Sequence, residues 1–250
     1  VDMIRGFSVQ FTQGMEYFFS GFKLITQKGL KRFVFIPLLI NIVLFGSSLF
    51  FLYGWLTDGF AYLNDLLPTW LSWLEWLMWP IAVLVILFSY SMLFSVITNF
   101  IAAPFNGLLS EKVELYLTGQ KINDDGLAEI VKDVPRMLGR EWTKLCYYLP
   151  RAIGFFILLW ILPVIGQVLW VMFTCWMYAV QYKDYPFDNH KICFKEMKED
   201  LKQKQTLSYG FGLAVLLLTA IPIVNLIVMP VAVCGATRLW VDQYRPNYRE

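Results

Sequence analysis

Four stretches of this chain, 33–57, 76–110, 152–182 and 205–237, contain no Asp, Glu, Lys or Arg. They are 25, 35, 31 and 33 residues long. A helix needs about 20 apolar residues to cross a hydrocarbon layer of ~30 Å. Each run is therefore long enough to enter a bilayer, where a backbone with no other hydrogen-bond partners must satisfy itself as a helix. The expected class is an all-α integral membrane protein. Composition agrees: 16% of residues are charged, against about 25% in a soluble domain.

Charge placement orders these runs. Residues 1–32 carry five basic groups, 111–151 carry seven, 183–204 carry six and 238–250 carry three, whereas 58–75 carries none. Under the positive-inside rule every polar segment except 58–75 faces the cytoplasm. Runs one and two then cross outward and back, as transmembrane helices over 33–57 and 76–110 joined by a periplasmic segment at 58–75. Runs three and four begin and end on one side. Each is broken near its middle, at Pro163 with Gly166 and at Pro222 with Asn225, where proline removes a helix donor and clashes with the preceding turn. The first legs, 152–162 and 205–221, reach roughly 17 and 25 Å at 1.5 Å per residue, short of a full crossing. Two re-entrant helical hairpins, 152–182 and 205–237, satisfy both charge and length. Single kinked spans are the alternative, and they would place 183–204 outside.

Residues 161–166 and 220–225 form a weak repeat at an offset of 59, which also aligns Tyr185 with Tyr244. Three further segments read as amphipathic helices, which bury one face in headgroups or against partner helices. The N-terminal segment 1–32 carries a stripe of Phe11, Met15, Phe18, Phe22 and Ile25. The interfacial segment 111–151 repeats the pattern from Leu127 to Leu149, and 183–204 does so through Phe194, Met197 and Leu201. Residues 238–250 remain as a cytoplasmic tail. Five tryptophans (Trp55, Trp70, Trp73, Trp76, Trp79) surround 58–75, as an interfacial aromatic belt does. No cleavable signal peptide is expected in the charged, amphipathic start. The near balance of 21 basic and 19 acidic residues offers no tail or patch for nucleic acid. Cys146, Cys175, Cys193 and Cys234 are scattered without a C-x-x-C pair and read as small packing residues. With one histidine and no nucleophile–base set, neither an enzyme, a metal site nor a cofactor is expected.

Three constellations could carry chemistry. Gly29-Leu30-Lys31-Arg32 places two cations where the first crossing helix begins, and helix N-termini bind oxyanions. Arg32 adds a planar donor fork; fixing topology is the competing role. Arg136 and Arg140 stand four apart on one helix face and, with Glu111, make either a charged gate or a plain surface network. Tyr185-Pro186-Phe187-Asp188-Asn189-His190 reads as a polar turn closing the first hairpin.

These phrases, with Ala103-Pro104-Phe105-Asn106-Gly107-Leu108-Leu109, Asp133-Val134-Pro135-Arg136, Arg140-Glu141-Trp142 and the 229–237 segment from Met229 to Thr237, resemble the bacterial CysZ family of sulfate permeases. The resemblance runs from about residue 10 to 245. It implies an inner-membrane, homo-oligomeric protein with two long transmembrane helices and two hemi-penetrating hairpins, supplying sulfate for cysteine synthesis. The partners it implies are sulfate, or its relative sulfite, and membrane lipids. Carried over, the family's sulfate site falls on Gly29, Leu30, Lys31 and Arg32, with Lys31 standing where relatives carry arginine. The family's pore lining is similar to Asn99, Asn106, Glu111, Arg136, Arg140 and His190. A channel or uniporter for sulfate is the expected function. The alternative is a structural or regulatory membrane protein that binds sulfate or anionic lipid without conducting it.

Overall fold

A computed structural model describes residues 2–66, 72–121 and 127–248. Trp70 and the centre of the expected periplasmic segment lie outside these. Eight α-helices follow one another: α1 (Asp2–Ile25), α2 (Lys31–Leu66), α3 (Ser72–Thr118), α4 (Leu127–Ile161), α5 (Pro163–Asn189), α6 (Phe194–Gln203), α7 (Gln205–Thr219) and α8 (Pro222–Gln243). A 3-10 turn, Arg245–Tyr248, ends the described chain. Every regular element among the described residues is helical, as expected for an all-α membrane protein. The chain divides into two compact units, one spanning Ile36–Ala102 and one comprising the residues on either side.

The smaller unit is an antiparallel pair made by most of α2 and the first part of α3. The hydroxyls of Ser48 and Tyr90 meet across it, and Phe45 sets its ring edge against Phe94 at 5.4 Å. Most of its described large apolar side chains, among them Leu39, Phe50, Trp55, Leu84 and Phe88, are exposed. In the most apolar window of Lys31–Gly59 only 7% of residues are buried. A surface of this kind is what a helix offers to lipid, since hydrocarbon gives apolar side chains no reason to withdraw.

The larger unit contains two helical hairpins, and both reverse at the expected prolines. Leu162 takes φ −125° and ψ 78° and Pro163 opens α5; Ile221 takes φ −97° and ψ 109° and Pro222 opens α8. Proline fits a first helical turn, where its missing N–H has no acceptor to lose. The α4–α5 pair is antiparallel along its length. Phe155 stacks on Phe173 at 4.7 Å near the reversal, Trp176 Nε1 donates to Tyr147 OH further along, and Arg136 meets Asp188 at the open end. In the α7–α8 pair, Lys204 Nζ donates to the carbonyl of Gln243, so the open ends also lie together.

The helices outrun the apolar stretches. α4 is continuous through residue 151, fusing the expected surface helix to the first leg of the hairpin. α5 continues to Asn189, so Tyr185–Asn189, read from sequence as a turn, is helical with Pro186 inside it. Reversal waits until His190 and Lys191, whose φ is 60°.

α1 lies across the second hairpin. Its stripe, which sequence left between headgroups and partner helices, rests on α7 and α8: Phe18 is fully buried and meets Phe211 edge-on at 5.9 Å. Glycine permits this approach, because a Cβ at Gly210 would stand 2.0 Å from the carbonyl oxygen of Phe11. Gly212 admits α5 in the same way, its absent Cβ falling 1.8 Å from the carbonyl oxygen of Cys175. α6 buries Met197 and Leu201 completely. Cys175 and Cys234 are core residues, but Cys193 is exposed and accepts from the amide of Glu196 as the N-cap of α6.

Candidate functional site

A buried polar seam runs through the larger unit where α3, α4 and α5 meet. From α3 come Asn106, Ser110 and Glu114, at i, i+4 and i+8, all inside the protein. From α4 come Arg136, Arg140 and Lys144 at the same spacing, and from α5 come Asp184 and Asp188, four apart. Residues four apart share a helix face, so antiparallel α4 and α5 set three cations opposite two acids.

The pairing is close. Arg140 donates Nη2 to Asp184 Oδ1 at 2.6 Å and Nε at 2.9 Å. Lys144 Nζ lies 3.5 Å from the same carboxylate and 2.5 Å from Glu141 Oε1. Arg136 pairs with Asp188 Oδ1 at 2.6 Å, donates to the Asp188 carbonyl at 2.7 Å, and reaches Asp133 at 3.0 Å. Its Nε is buried without an acceptor among the described residues. Tyr185 OH accepts from Asn106 Nδ2 at 3.1 Å and from Gln181 Nε2 at 3.2 Å. Asn189 Nδ2 donates to the Gly107 carbonyl at 2.9 Å.

Of the expected lining, Asn106, Arg136 and Arg140 therefore come together in one network. Because Glu141, Lys144 and Asp184 within it are almost wholly buried, it is not a surface salt-bridge network. His190 joins the seam at its end, with Nε2 3.0 Å from Glu114 Oε1. Glu114 also takes Arg245 Nε at 2.8 Å. The acid that meets His190 is thus Glu114; Glu111, half-buried, pairs with Lys112 at 3.6 Å. Asn99 is half-buried on α3 within the smaller unit. Sequence reasoning passed over Glu114, Glu141, Lys144, Asp184 and Arg245. The signal was present as i, i+4 spacing of acids in α5 matched to i, i+4 spacing of bases in α4.

The space inside the network is small. Arg140, Glu141, Lys144, Asp184 and Asp188, with Ala103, Gly107, Met137 and Tyr185, enclose about 10 Å³. That is near the room one water needs, and a five-atom tetrahedral anion does not fit. In this conformation the seam is closed, and its cations are neutralised by the protein's own carboxylates.

The Gly29–Arg32 constellation is built differently. Gly29 takes φ +96°, a left-handed conformation that favours glycine, and so turns α1 into α2. Leu30 is buried and its amide donates to the Gln27 carbonyl at 3.2 Å, so Leu30 anchors the turn. Lys31 and Arg32 open α2 and are exposed; the first amides of a helix have no intrahelical acceptor. Arg32 lies over the Phe33 ring at 4.8 Å. No carboxylate among the described residues pairs with either cation. Two such cations at the start of a helix are suited to an oxyanion.

The sequence pattern of the family described as "Sulfate transporter CysZ/Etoposide-induced protein 2.4" matches residues 17–230. The chain belongs to this family. Among CysZ relatives, the protein named "Sulfate transporter CysZ" in Vibrio parahaemolyticus is 54% identical over 236 residues, covering 93% of this chain and 95% of its own. Its namesake in Vibrio atlanticus is 52% identical, covering 93% of each chain. The one in Pectobacterium atrosepticum is 53% identical, covering 93% and 86%. The CysZ-like span takes in the Gly29 turn, all of the seam helices and both hairpin reversals.

Proposed function

We propose that the protein conducts sulfate passively across the bacterial inner membrane, as a channel or uniporter supplying cysteine synthesis. The observation that carries a conducting role is the seam: paired charges buried among the packed helices that lead into the apolar runs, as charged rings at the mouth of an ion route do. The substrate comes from the relatives' name. A dianion cannot enter hydrocarbon unaided, and Arg136, Arg140 and Lys144 supply donors for it. Asp184 and Asp188 hold the same donors when sulfate is absent, so each sulfate contact replaces a carboxylate contact. That exchange keeps net affinity low enough for release. Lys31 and Arg32 gather the anion at the membrane surface.

In this reading both chain ends, 111–151 and 183–204 are cytoplasmic, 58–75 is periplasmic, and the hairpins are re-entrant. Adjacent open ends in both hairpins support it, as does α7, whose 15 residues reach only about 22 Å. Exposed Cys193 offers a direct test. An impermeant maleimide should leave it unlabelled in intact cells, and periplasmic labelling would overturn the arrangement.

The deciding experiment is sulfate uptake into liposomes holding purified protein. Uptake above empty vesicles is expected, and binding without uptake would reduce the protein to a sulfate-binding component. K31A/R32A removes charge-assisted contacts worth about 1.5–3 kcal/mol each. Sulfate binding should weaken by roughly a hundredfold or more, and unchanged calorimetric affinity would eliminate that site.

A further inference from the structure

α6 lines up its lysines along one side, with Glu199 beside them. Lys195, Lys198 and Lys202 follow one stripe at spacings of three and four, with Glu196 and Asp200 on the side that faces Tyr248. Lys198 reaches α4. There Tyr147 stands between two cations, with Arg151 Cζ 3.8 Å and Lys198 Nζ 4.5 Å from its ring centre. Phe194 closes the platform, edge-on to Tyr147 at 5.5 Å and 4.9 Å from Lys198 Nζ. Trp176 Nε1 donates to Tyr147 OH at 3.2 Å and fixes the ring. Arg151 is oriented by donating Nη1 to the Tyr147 carbonyl at 2.7 Å, which leaves its other donors outward.

None of these four cations makes an ion pair among the described residues. Arg151, Lys202 and Lys195 repel the Lys198 ammonium, against Glu199 alone. Burial first, and then this repulsion, hold its pKa below the usual lysine value. Among the described residues these like charges thus stand together with no ion pair and with Glu199 as the acid that offsets them, in contrast with the neutralised seam. Position along α4 adds a second constraint. Arg151 is the last charged residue before the charge-free run, and Ile153, Phe156, Ile157 and Trp160 in the next turns are exposed.

We propose that Arg151, Lys195, Lys198 and Lys202, with Tyr147, form a docking surface for anionic phospholipid headgroups at the cytoplasmic face. Clustered cations on an amphipathic helix at a polar–apolar border recognise such lipids. The proposal rests on the reading that 152–182 enters the membrane from that side. The docked phosphodiester neutralises Arg151 and Lys198 and fastens α6, and through it both hairpins, to the bilayer surface.

Native mass spectrometry of the full-length protein in neutral detergent, without sulfate, tests this with phosphatidylglycerol and phosphatidylcholine. Wild type should retain phosphatidylglycerol selectively. R151A/K198A should bind it roughly 10- to 30-fold more weakly, as two cations near an anionic surface are removed, while R151K/K198R retains it. K195A/K202A should lose less. Equal retention by R151A/K198A, or equal retention of phosphatidylcholine by wild type, would overturn the proposal. Displacement of the lipid by millimolar inorganic phosphate would overturn it too, in favour of a small-anion site. Because sulfate is absent, a failed lipid measurement and a failed flux measurement are separate results.

Discussion

α2 and α8 are both long apolar helices, yet they are solvated in opposite ways. The window in Lys31–Gly59 has mean hydropathy 2.3 and is 7% buried; that in Val224–Gln243 has mean hydropathy 1.6 and is 56% buried. The more apolar helix is the less buried one, the reverse of a soluble protein. In hydrocarbon, burying apolar side chains gains little, so association follows small residues, close packing and polar groups that need partners. Glycines, Ser110, Thr237 and the charged seam sit inside the larger unit; Phe50, Trp55 and Phe88 sit outside the smaller one.

The sharpest way to break this contrast is to enlarge glycine in each region. At Gly212 the obstructing atom is backbone of α5, which cannot yield as a side-chain tip does. G212V should cost more than about 4 kcal/mol and abolish the monodisperse peak in size-exclusion chromatography. A Cβ at Gly46 meets nothing within 4 Å, so G46V should leave the peak and the melting temperature in place. Equal damage from both would mean that α2 is not lipid-facing.

Charge removal comes next in size. D184A leaves Arg140 and Lys144 buried beside a lost partner, an error of about 3–5 kcal/mol and a drop in Tm of roughly 6–20 °C. D58A removes an exposed acid from α2 and should cost no more than about 0.5 kcal/mol. Thermal melts in detergent decide between them, and matching losses would show the seam to be solvated.

The smallest effect has the opposite sign. Lys183 is 1% exposed, and among the described residues its ammonium hydrogen-bonds only the Ser208 hydroxyl, at 2.8 Å. Ser208 keeps the Leu201 and Lys204 carbonyls as acceptors if the lysine is removed. K183M should therefore be neutral or raise Tm by about 2–4 °C, the equivalent of ~1 kcal/mol. A fall of similar size would show that the buried cation stabilises the fold.

The breaks at Pro163 and Pro222, the reach of the apolar runs and the buried face of α6 could all be read from sequence, because each depends on neighbours within a few residues. Arg136 and Arg140 were legible as a face, but not as a buried one. Their burial depends on Asp184 and Asp188, which lie in a segment read as partly a turn. Pro186 prompted that reading; the helix survives it because Arg136 grips Asp188 and Asn189 holds the Gly107 carbonyl beyond the proline. Glu114 was not singled out for want of one fact: which face of α3 meets α5. Only the fold supplies that.

The crossing of α1 over the second hairpin bears on how the chain is assembled. Tyr17 OH accepts from Gln243 Nε2, 226 residues later, so the seat of α1 is made long after α1 itself. At about 5–20 residues per second, the delay is roughly 10–45 s. During that interval the aromatic stripe around Phe18 has no helix to rest on, and a bilayer surface is the nearest refuge for it. Docking of α1 thus reports that α7 and α8 have been made, and truncations ahead of α8 should strand a greasy, protease-sensitive α1 on the membrane.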